Sequence, residues 1–231
     1  YKEPSVPDDP AAAVAAGLDA LLDRAGRAPA DLELVVHGTT LALNAVIERR
    51  GAAIGLVISR GFGDTMELAR GALPSTFSYK APKPTPLVPR DRVFEIGARL
   101  RPDGTVVEAP TEDELAEVAA AITAAGLEAV GVVVLNGYAH PALEQRVAAD
   151  LQARLPGVLV TASSALWPEI REYERSLVTM LNGFVQPLMR RYYGALAQGL
   201  DRRGVTAPLF VTASNGGTVS VETARDRPVD T

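Results

Sequence analysis

The residues best placed to do chemistry are His37-Gly38-Thr39-Thr40-Leu41-Ala42-Leu43-Asn44, where an imidazole, two adjacent hydroxyls and a side-chain amide stand beside a glycine. Gly38 lets backbone approach a ligand closely. Thr39 and Thr40 offer hydroxyls, and free N–H groups at a helix start favour an anion such as phosphate or carboxylate. His37 adds an acid, a base or a hydrogen bond. The same types also suit a bland role, with a threonine capping the helix and a satisfied histidine ending a strand. A second run, Ser214-Asn215-Gly216-Gly217-Thr218, has the small, flexible composition of an anion-binding turn and equally that of a plain turn. The third, Trp167 to Arg175, is dense in carboxylates and guanidinium groups, and reads as a solvated helix face with weak ion pairs. Gly61-Phe62-Gly63-Asp64 and His140-Pro141 read as loop signals.

These segments are positioned by an alternation of apolar runs and helical periods. Asp8-Asp9-Pro10 opens a helix that Gly26 stops. Leu32 to His37 reads as a buried strand, Thr39 to Arg50 as a helix ended by Gly51, and Ile54 to Ser59 as a second buried strand. Strand, helix and strand with short joins predict a parallel βαβ unit. The prolines between Leu73 and Arg90 predict an extended loop, and Asp103-Gly104 a hairpin between Arg92–Leu100 and Thr105–Glu108. Thr111 with Glu114 forms a capping box ahead of the next helix. Ala129 to Leu135, Pro141 to Leu155 and Val158 to Ala162 repeat the strand, helix, strand order. A long helical stretch from Glu169 to about Arg203 follows, which Pro187 is expected to kink or divide. Pro208 to Thr212 is a last strand, running straight into the Ser214–Gly217 turn. The whole predicts an α/β fold with a mainly parallel sheet and helices on both faces.

Composition removes several function classes. With no cysteine there is no disulfide, thiolate nucleophile or thiolate metal site. With His37 and His140 the only histidines, a three-histidine zinc site is impossible within this sequence, and any metal would rest on oxygen ligands or phosphate. The net charge of −5 and the absence of a basic stripe argue against nucleic acid. The pairs Arg49-Arg50, Arg190-Arg191 and Arg202-Arg203 read as helix ends. No apolar run reaches the roughly 20 residues a membrane helix needs. That absence, with no secretory signal at the start, predicts a soluble cytoplasmic protein. Tyrosine rather than methionine at position 1 suggests a segment of a longer product.

Taken together and in order, HGTTLALNAVIERRGAAIGLVISRGFGD (37–64), PLVPR (86–90), the Asp103-Gly104 turn, GYAHP (137–141), PEIREYER (168–175), LNGFVQP (181–187) and SNGG (214–217) resemble the hydantoinase A and 5-oxoprolinase family, to which acetone and acetophenone carboxylase subunits are related. The resemblance implies an actin-like ATPase, ribonuclease H-like fold, incomplete in this sequence. It divides the chain into an N-terminal α/β domain over 1–165, lacking its first strands, and a long helical connection with the start of the hydantoinase A domain over 166–231. It implies an ATP-dependent amidohydrolase that opens a hydantoin, 5-oxoproline or related cyclic amide through a phosphorylated intermediate. The implied cofactors are ATP and Mg2+, the implied partner is a hydantoinase B-like subunit or domain, and the implied form is an oligomer. A related carboxylase subunit and a non-catalytic assembly domain are the alternative readings. The family's first phosphate turn, Asp-x-Gly-Gly-Thr, is expected before Tyr1 and its later glycine-rich motifs after Thr231, so the segment alone is expected to be inactive. Carried over residue by residue, His37, Thr39, Thr40 and Asn44 are the catalytic candidates and Gly38, Asn215, Gly216 and Gly217 the cofactor-binding ones, with no protein metal ligand. The PEIREYER run stands as a possible interdomain contact.

Overall fold

The structure, a computed structural model, describes residues 1–231 except 5, 7, 8, 72–76, 79, 83 and 84. Asp8 of the expected helix start, and Leu73, Pro74 and Pro84 of the proline-rich loop, lie outside the described residues. In chain order the elements begin with α1 (Pro10–Ala25), β1 (Val35–His37), α2 (Leu41–Ile47), β2 (Ile54–Ser59) and α3 (Thr65–Leu68). They continue with β3 (Val93–Ile96), β4 (Arg99–Leu100), β5 (Val106–Glu108), α4 (Glu112–Ala124), β6 (Ala129–Val133), α5 (Ala142–Arg154), β7 (Leu159–Ala162) and α6 (Ser163–Leu166). The chain closes with α7 (Glu172–Asp201), β8 (Leu209–Thr212), β9 (Thr218–Ser220) and α8 (Val221–Asp226). They fall into two compact units, one of Gly51–Phe184 and one of Tyr1–Arg50 with Val185–Thr231.

The Gly51–Phe184 unit is built on a fully parallel sheet of order β3-β2-β6-β7. Strands β2 and β6 are buried at every residue, as expected of continuous apolar runs covered on both faces. Val57, Val130 and Val132 pack with Leu115, Val118 and Ile122 of α4 and Val147 and Leu151 of α5 in one core cluster. Each such side chain taken fully out of water contributes about 1.5–3 kcal/mol. The Thr111 hydroxyl caps α4 by accepting from Glu114 N–H at 3.2 Å. The Glu114 carboxylate does not reach back to complete the box; it accepts from Gly97 N–H at 2.9 Å and pairs with Arg60. The Asp103-Gly104 hairpin forms as expected, with Gly104 at φ +88° and Thr105 N–H donating to Asp103 Oδ1 at 2.9 Å. The expected strand over 92–100 is divided: β3 joins the parallel sheet and β4 turns into the hairpin.

One polar cluster is fully buried in this unit. The Glu144 carboxylate accepts from Val134 N–H (2.6 Å), Ser164 N–H (2.6 Å) and the Ser163 hydroxyl (2.9 Å). Arg175 donates to Ser163 Oγ (2.9 Å) and to the carbonyls of Val134 (2.7 Å) and Glu169 (3.2 Å), and lies over the Tyr138 ring. The expected solvated face from Trp167 to Arg175 is therefore corrected at Arg175, which is 0% exposed. Gly137 belongs to the same cluster, since a Cβ there would lie 2.8 Å from Glu144 Oε2 and 2.9 Å from the Val134 carbonyl.

In the other unit, β1 pairs in parallel with β8, and β8 pairs antiparallel with β9. The expected βαβ unit linking β1 to β2 is not formed, because the two strands belong to different sheets. Nor is β1 buried: it is an edge strand of three residues, with Val36 and the neighbouring Leu34 each 52% exposed. Helix α1 has Asp9 accepting from Ala12 N–H at 3.1 Å and ends at left-handed Gly26, as its sequence predicts. Helix α2 is shorter than expected, ending at Ile47 with Glu48 as C-cap; Arg49 follows at φ +53°, with Arg49 and Arg50 N–H bonded back to the Val46 and Ala45 carbonyls. Gly51 is small for a different reason, since a Cβ there would lie 2.5 Å from the Phe184 ring. Helix α7 is one continuous helix through Pro187, so of the expected kink or division the division does not occur; the Phe184 carbonyl accepts from Ala52 N–H at 2.9 Å. It follows that Arg190-Arg191 lies inside a helix rather than at its end. Among the described residues no helix is long and apolar enough to cross a membrane.

Candidate active site

Ligands of open parallel sheets collect beyond the carboxyl ends of strands, where neighbouring connections diverge. The four-stranded sheet has such a divergence between β2 and β6, and it is filled. Ser59 Oγ donates to the Ala98 carbonyl at 2.6 Å and accepts from Leu135 N–H at 3.0 Å. Arg99 bridges to Leu135, and Asn136 Nδ2 donates to the Leu100 carbonyl at 2.9 Å, so the β4–β5 hairpin closes that edge.

Among the described residues the corresponding edge of the smaller sheet is open. Because β1 and β8 run parallel with His37 beside Val211, their carboxyl ends deliver Gly38–Thr40 and Thr212–Gly217 to the same side. Gly38 fits closely there, since a Cβ would come within 3.3 Å of Thr212 Oγ1. A cavity of about 730 Å³ adjoins the first turn; its wall includes Val14, Leu18 and Leu21 of α1, His37–Thr40, and Tyr192 of α7. Gly38 and Thr40 are exposed, so the turn is accessible to solvent.

The polar wall is held by hydrogen bonds. Thr39 Oγ1 accepts from Leu41 N–H at 3.1 Å. The Tyr192 hydroxyl lies 2.8 Å from His37 Nε2, with the two rings 5.7 Å apart. Burial lowers the His37 pKa below its usual 6.5, so the imidazole is neutral at pH 7. Burial, helped by the neighbouring Tyr193, pushes the Tyr192 phenol up to about 12, so it remains a donor throughout the neutral range. Thr40 is the N-cap residue of α2 by position, but its hydroxyl makes no capping bond. Among the described residues the N–H groups of Gly38, Thr39 and Thr40 have no protein acceptor.

The structure thus gathers His37, Gly38, Thr39 and Thr40 around one cavity. Asn44 is exposed on α2, outside the lining, with Nδ2 at 3.5 Å from Thr40 Oγ1. Asn215, Gly216 and Gly217 form the β8–β9 hairpin turn at the same edge, also outside the lining. Most of that turn's amides are engaged: Ser214 N–H donates to the Asp230 carbonyl, Gly216 N–H to Ala213, and Gly217 N–H to Asn215 Oδ1. Tyr192 and the α1 face are not singled out by sequence reasoning. Tyr192 sits among ordinary apolar positions of a long helix, and no local pattern announces its contact with a histidine at the other end of the chain.

Two family models match: "Hydantoinase/oxoprolinase N-terminal region" over residues 1–155 and "Hydantoinase/oxoprolinase" over 175–231. The caprolactamase subunit alpha of Pseudomonas jessenii is 33% identical over 236 residues, covering 100% of this chain and 34% of that protein. The crystal structure of the ATP-dependent caprolactamase from the same organism superposes with a TM-score of 0.86 at 30% identity, covering 100% of this chain and 35% of that one. A nucleotide-free acetone carboxylase, described as catalysing ATP-dependent acetone carboxylation, superposes equally well, with a TM-score of 0.86 at 26% identity over 98% of this chain and 34% of that one. The chain therefore spans about a third of the length of these relatives.

Proposed function

The chain belongs to the hydantoinase/oxoprolinase family, and from that premise we propose that it forms part of an ATP-dependent amidohydrolase that opens a cyclic amide. The observation that carries this reading is the His37–Tyr192 hydrogen bond, with both rings neutral, beside a cavity at an open strand edge that the two threonines also line. In the overall reaction water adds its oxygen to the carbonyl carbon, the ring C–N bond breaks and nitrogen gains a proton. A neutral imidazole is in the state that accepts the proton from water. A phenol that stays protonated supports delivery of a proton to the departing nitrogen across the His37–Tyr192 bond.

A phosphate group fits the first turn, where the N–H groups of Gly38, Thr39 and Thr40 and the two threonine hydroxyls can donate. At the Ser214–Gly217 turn the Asn215 side-chain amide is the donor left to contribute, with Gly216 and Gly217 shaping the loop around it. Bound ATP would supply a phosphoryl group that activates the amide carbonyl towards that water, a second water releasing it as phosphate, so that ATP and two waters give ADP, phosphate and the ring-opened product. Among the described residues no three His, Asp or Glu side chains gather as a metal site, so Mg2+ would ride on phosphate and hydroxyl oxygens. Asn44 is proposed to orient Thr40. Residues 1–165 and 166–231 would serve as the N-terminal domain and the start of the next, working with a hydantoinase B-like partner.

The test is ADP release by the full-length protein with its partner subunit, with and without lactams and hydantoins. Failure of every cyclic amide to stimulate release would sink the reading. The equal superposition on acetone carboxylase favours one alternative, an ATP-dependent carboxylase subunit. Incorporation of labelled bicarbonate into product would establish that alternative instead.

A further inference from the structure

Helix α7 presents a polar stripe to the C-terminal segment of its own unit. Gln186, Arg190 and Tyr193 stand at i, i+4 and i+7, which puts them on one helix face. Gln186 Nε2 donates to the Asp226 carbonyl at 2.9 Å, Arg190 donates to Asp226 Oδ1 at 2.7 Å, and the Tyr193 hydroxyl lies 3.3 Å from Thr231 Oγ1. Because the Thr231 hydroxyl gives its only proton to the Pro228 carbonyl at 3.0 Å, the Tyr193 phenol is the donor of that pair. Tyr193 is fully buried, and burial raises its pKa, so the donor persists through the neutral range. The segment held in this way reaches the second turn: the Asp230 carbonyl, one residue before Thr231, accepts from Ser214 N–H at 2.8 Å. Ala213 N–H then donates to the Gly217 carbonyl at 2.8 Å and Gly217 N–H to Asn215 Oδ1 at 2.9 Å, which fixes the loop that carries the Asn215 amide.

We propose that Tyr193 is a positioning residue for the nucleotide, holding the Ser214–Gly217 turn in its binding shape through Thr231 and Asp230, with Gln186 and Arg190 anchoring the other end of the same segment. The proposal rests on the reading of that turn as a phosphate site. A turn whose donors are fixed before an anion arrives loses little ordering entropy on binding it. Two neighbouring side chains thus serve two turns: Tyr192 bonds to His37 at the end of β1, and Tyr193 braces the turn that follows β8. One helix positions both.

Tyr193→Phe deletes one hydroxyl and keeps the ring beside Tyr192. In the full-length protein with its partner subunit, KM for ATP in amide-dependent ADP release is expected to rise by about two- to tenfold, the loss of one hydrogen bond, with kcat and KM for the amide unchanged. The Kd of a non-hydrolysable ATP analogue, measured by calorimetry without any amide, should rise by the same factor. Thr231→Val should match it, Thr231→Ser should keep the unaltered value, and Tyr193→Phe combined with Thr231→Val should be no weaker than either alone. Ser59→Ala, which removes a buried hydroxyl from the other unit, should leave the Kd where it is. Should Tyr193→Phe fail to fold, Thr231→Val carries the same comparison. A Kd unmoved by Tyr193→Phe but raised by Asn215→Ala would overturn the proposal and leave the phosphate reading of the turn intact. Additive effects of the two single variants, or an equal shift in Ser59→Ala, would also overturn it. A Kd moved by neither Tyr193→Phe nor Asn215→Ala would overturn both.

Discussion

Burial keeps both His37 and Tyr192 in the neutral state. Tyr192→Phe keeps the ring, which packs with its centroid 5.5 Å from that of Tyr193, and deletes only the hydroxyl that bonds His37. Leaving that partly buried imidazole unpaired is expected to cost about 1–3 kcal/mol in urea denaturation. Amide-dependent ADP release should fall by about a hundredfold or more if the pair moves protons. An unchanged rate would remove Tyr192 from the mechanism. His37 also sets a pH dependence. Its pKa is lower folded than unfolded, so between the folded value and 6.5 the unfolded chain binds more protons. Stability from this residue is thus present above pH 6.5 and declines as pH falls through the folded pKa. Denaturation midpoints at pH 7.5 and 5.5 should differ by less in His37→Gln than in the unaltered protein.

At the scale of elements, helix ends and buried polar contacts carry the strongest constraints. Arg175 anchors the start of α7 to the β6 end through Val134 and Ser163, entirely out of water. Burial works against its charge and lowers its pKa, an effect opposed by Glu144. Arg175→Leu would leave the Glu144 carboxylate buried without that support, at a cost of about 3–5 kcal/mol measurable by chemical denaturation. A loss under about 1 kcal/mol, the size of an exposed ion pair, would restore the solvated-face reading of the sequence. Gly51→Ala drives a methyl against the Phe184 ring and is expected to cost about 1–3 kcal/mol. The same measurement on Gly26→Ala would read backbone strain instead, because Gly26 has φ +62° and an added methyl group there would meet nothing within 4 Å.

At the scale of the molecule, the carboxyl edge of the four-stranded sheet is closed and, among the described residues, that of the β1–β8 pair is open. Ser59→Ala removes the hydroxyl that ties Ala98 to Leu135 and should lower stability by about 1–3 kcal/mol. It should leave KM for the amide unchanged, because that edge holds no ligand in the proposed reading. A raised KM without a change in kcat would relocate the site. The apolar runs of β2 and β6, the Asp9 and Thr111 caps and the Asp103-Gly104 turn were legible in the sequence because each depends on residues within a few positions of one another. So was the grouping of His37, Gly38, Thr39 and Thr40, which are contiguous. What only the tertiary structure decided was pairing over long separations: β1 takes β8 rather than β2, Arg175 goes inside, and Tyr192 and α1 complete the cavity. Periodicity and turn chemistry are fixed locally by the backbone, whereas the choice among distant partners follows from how the whole chain buries its apolar surface and satisfies its polar groups.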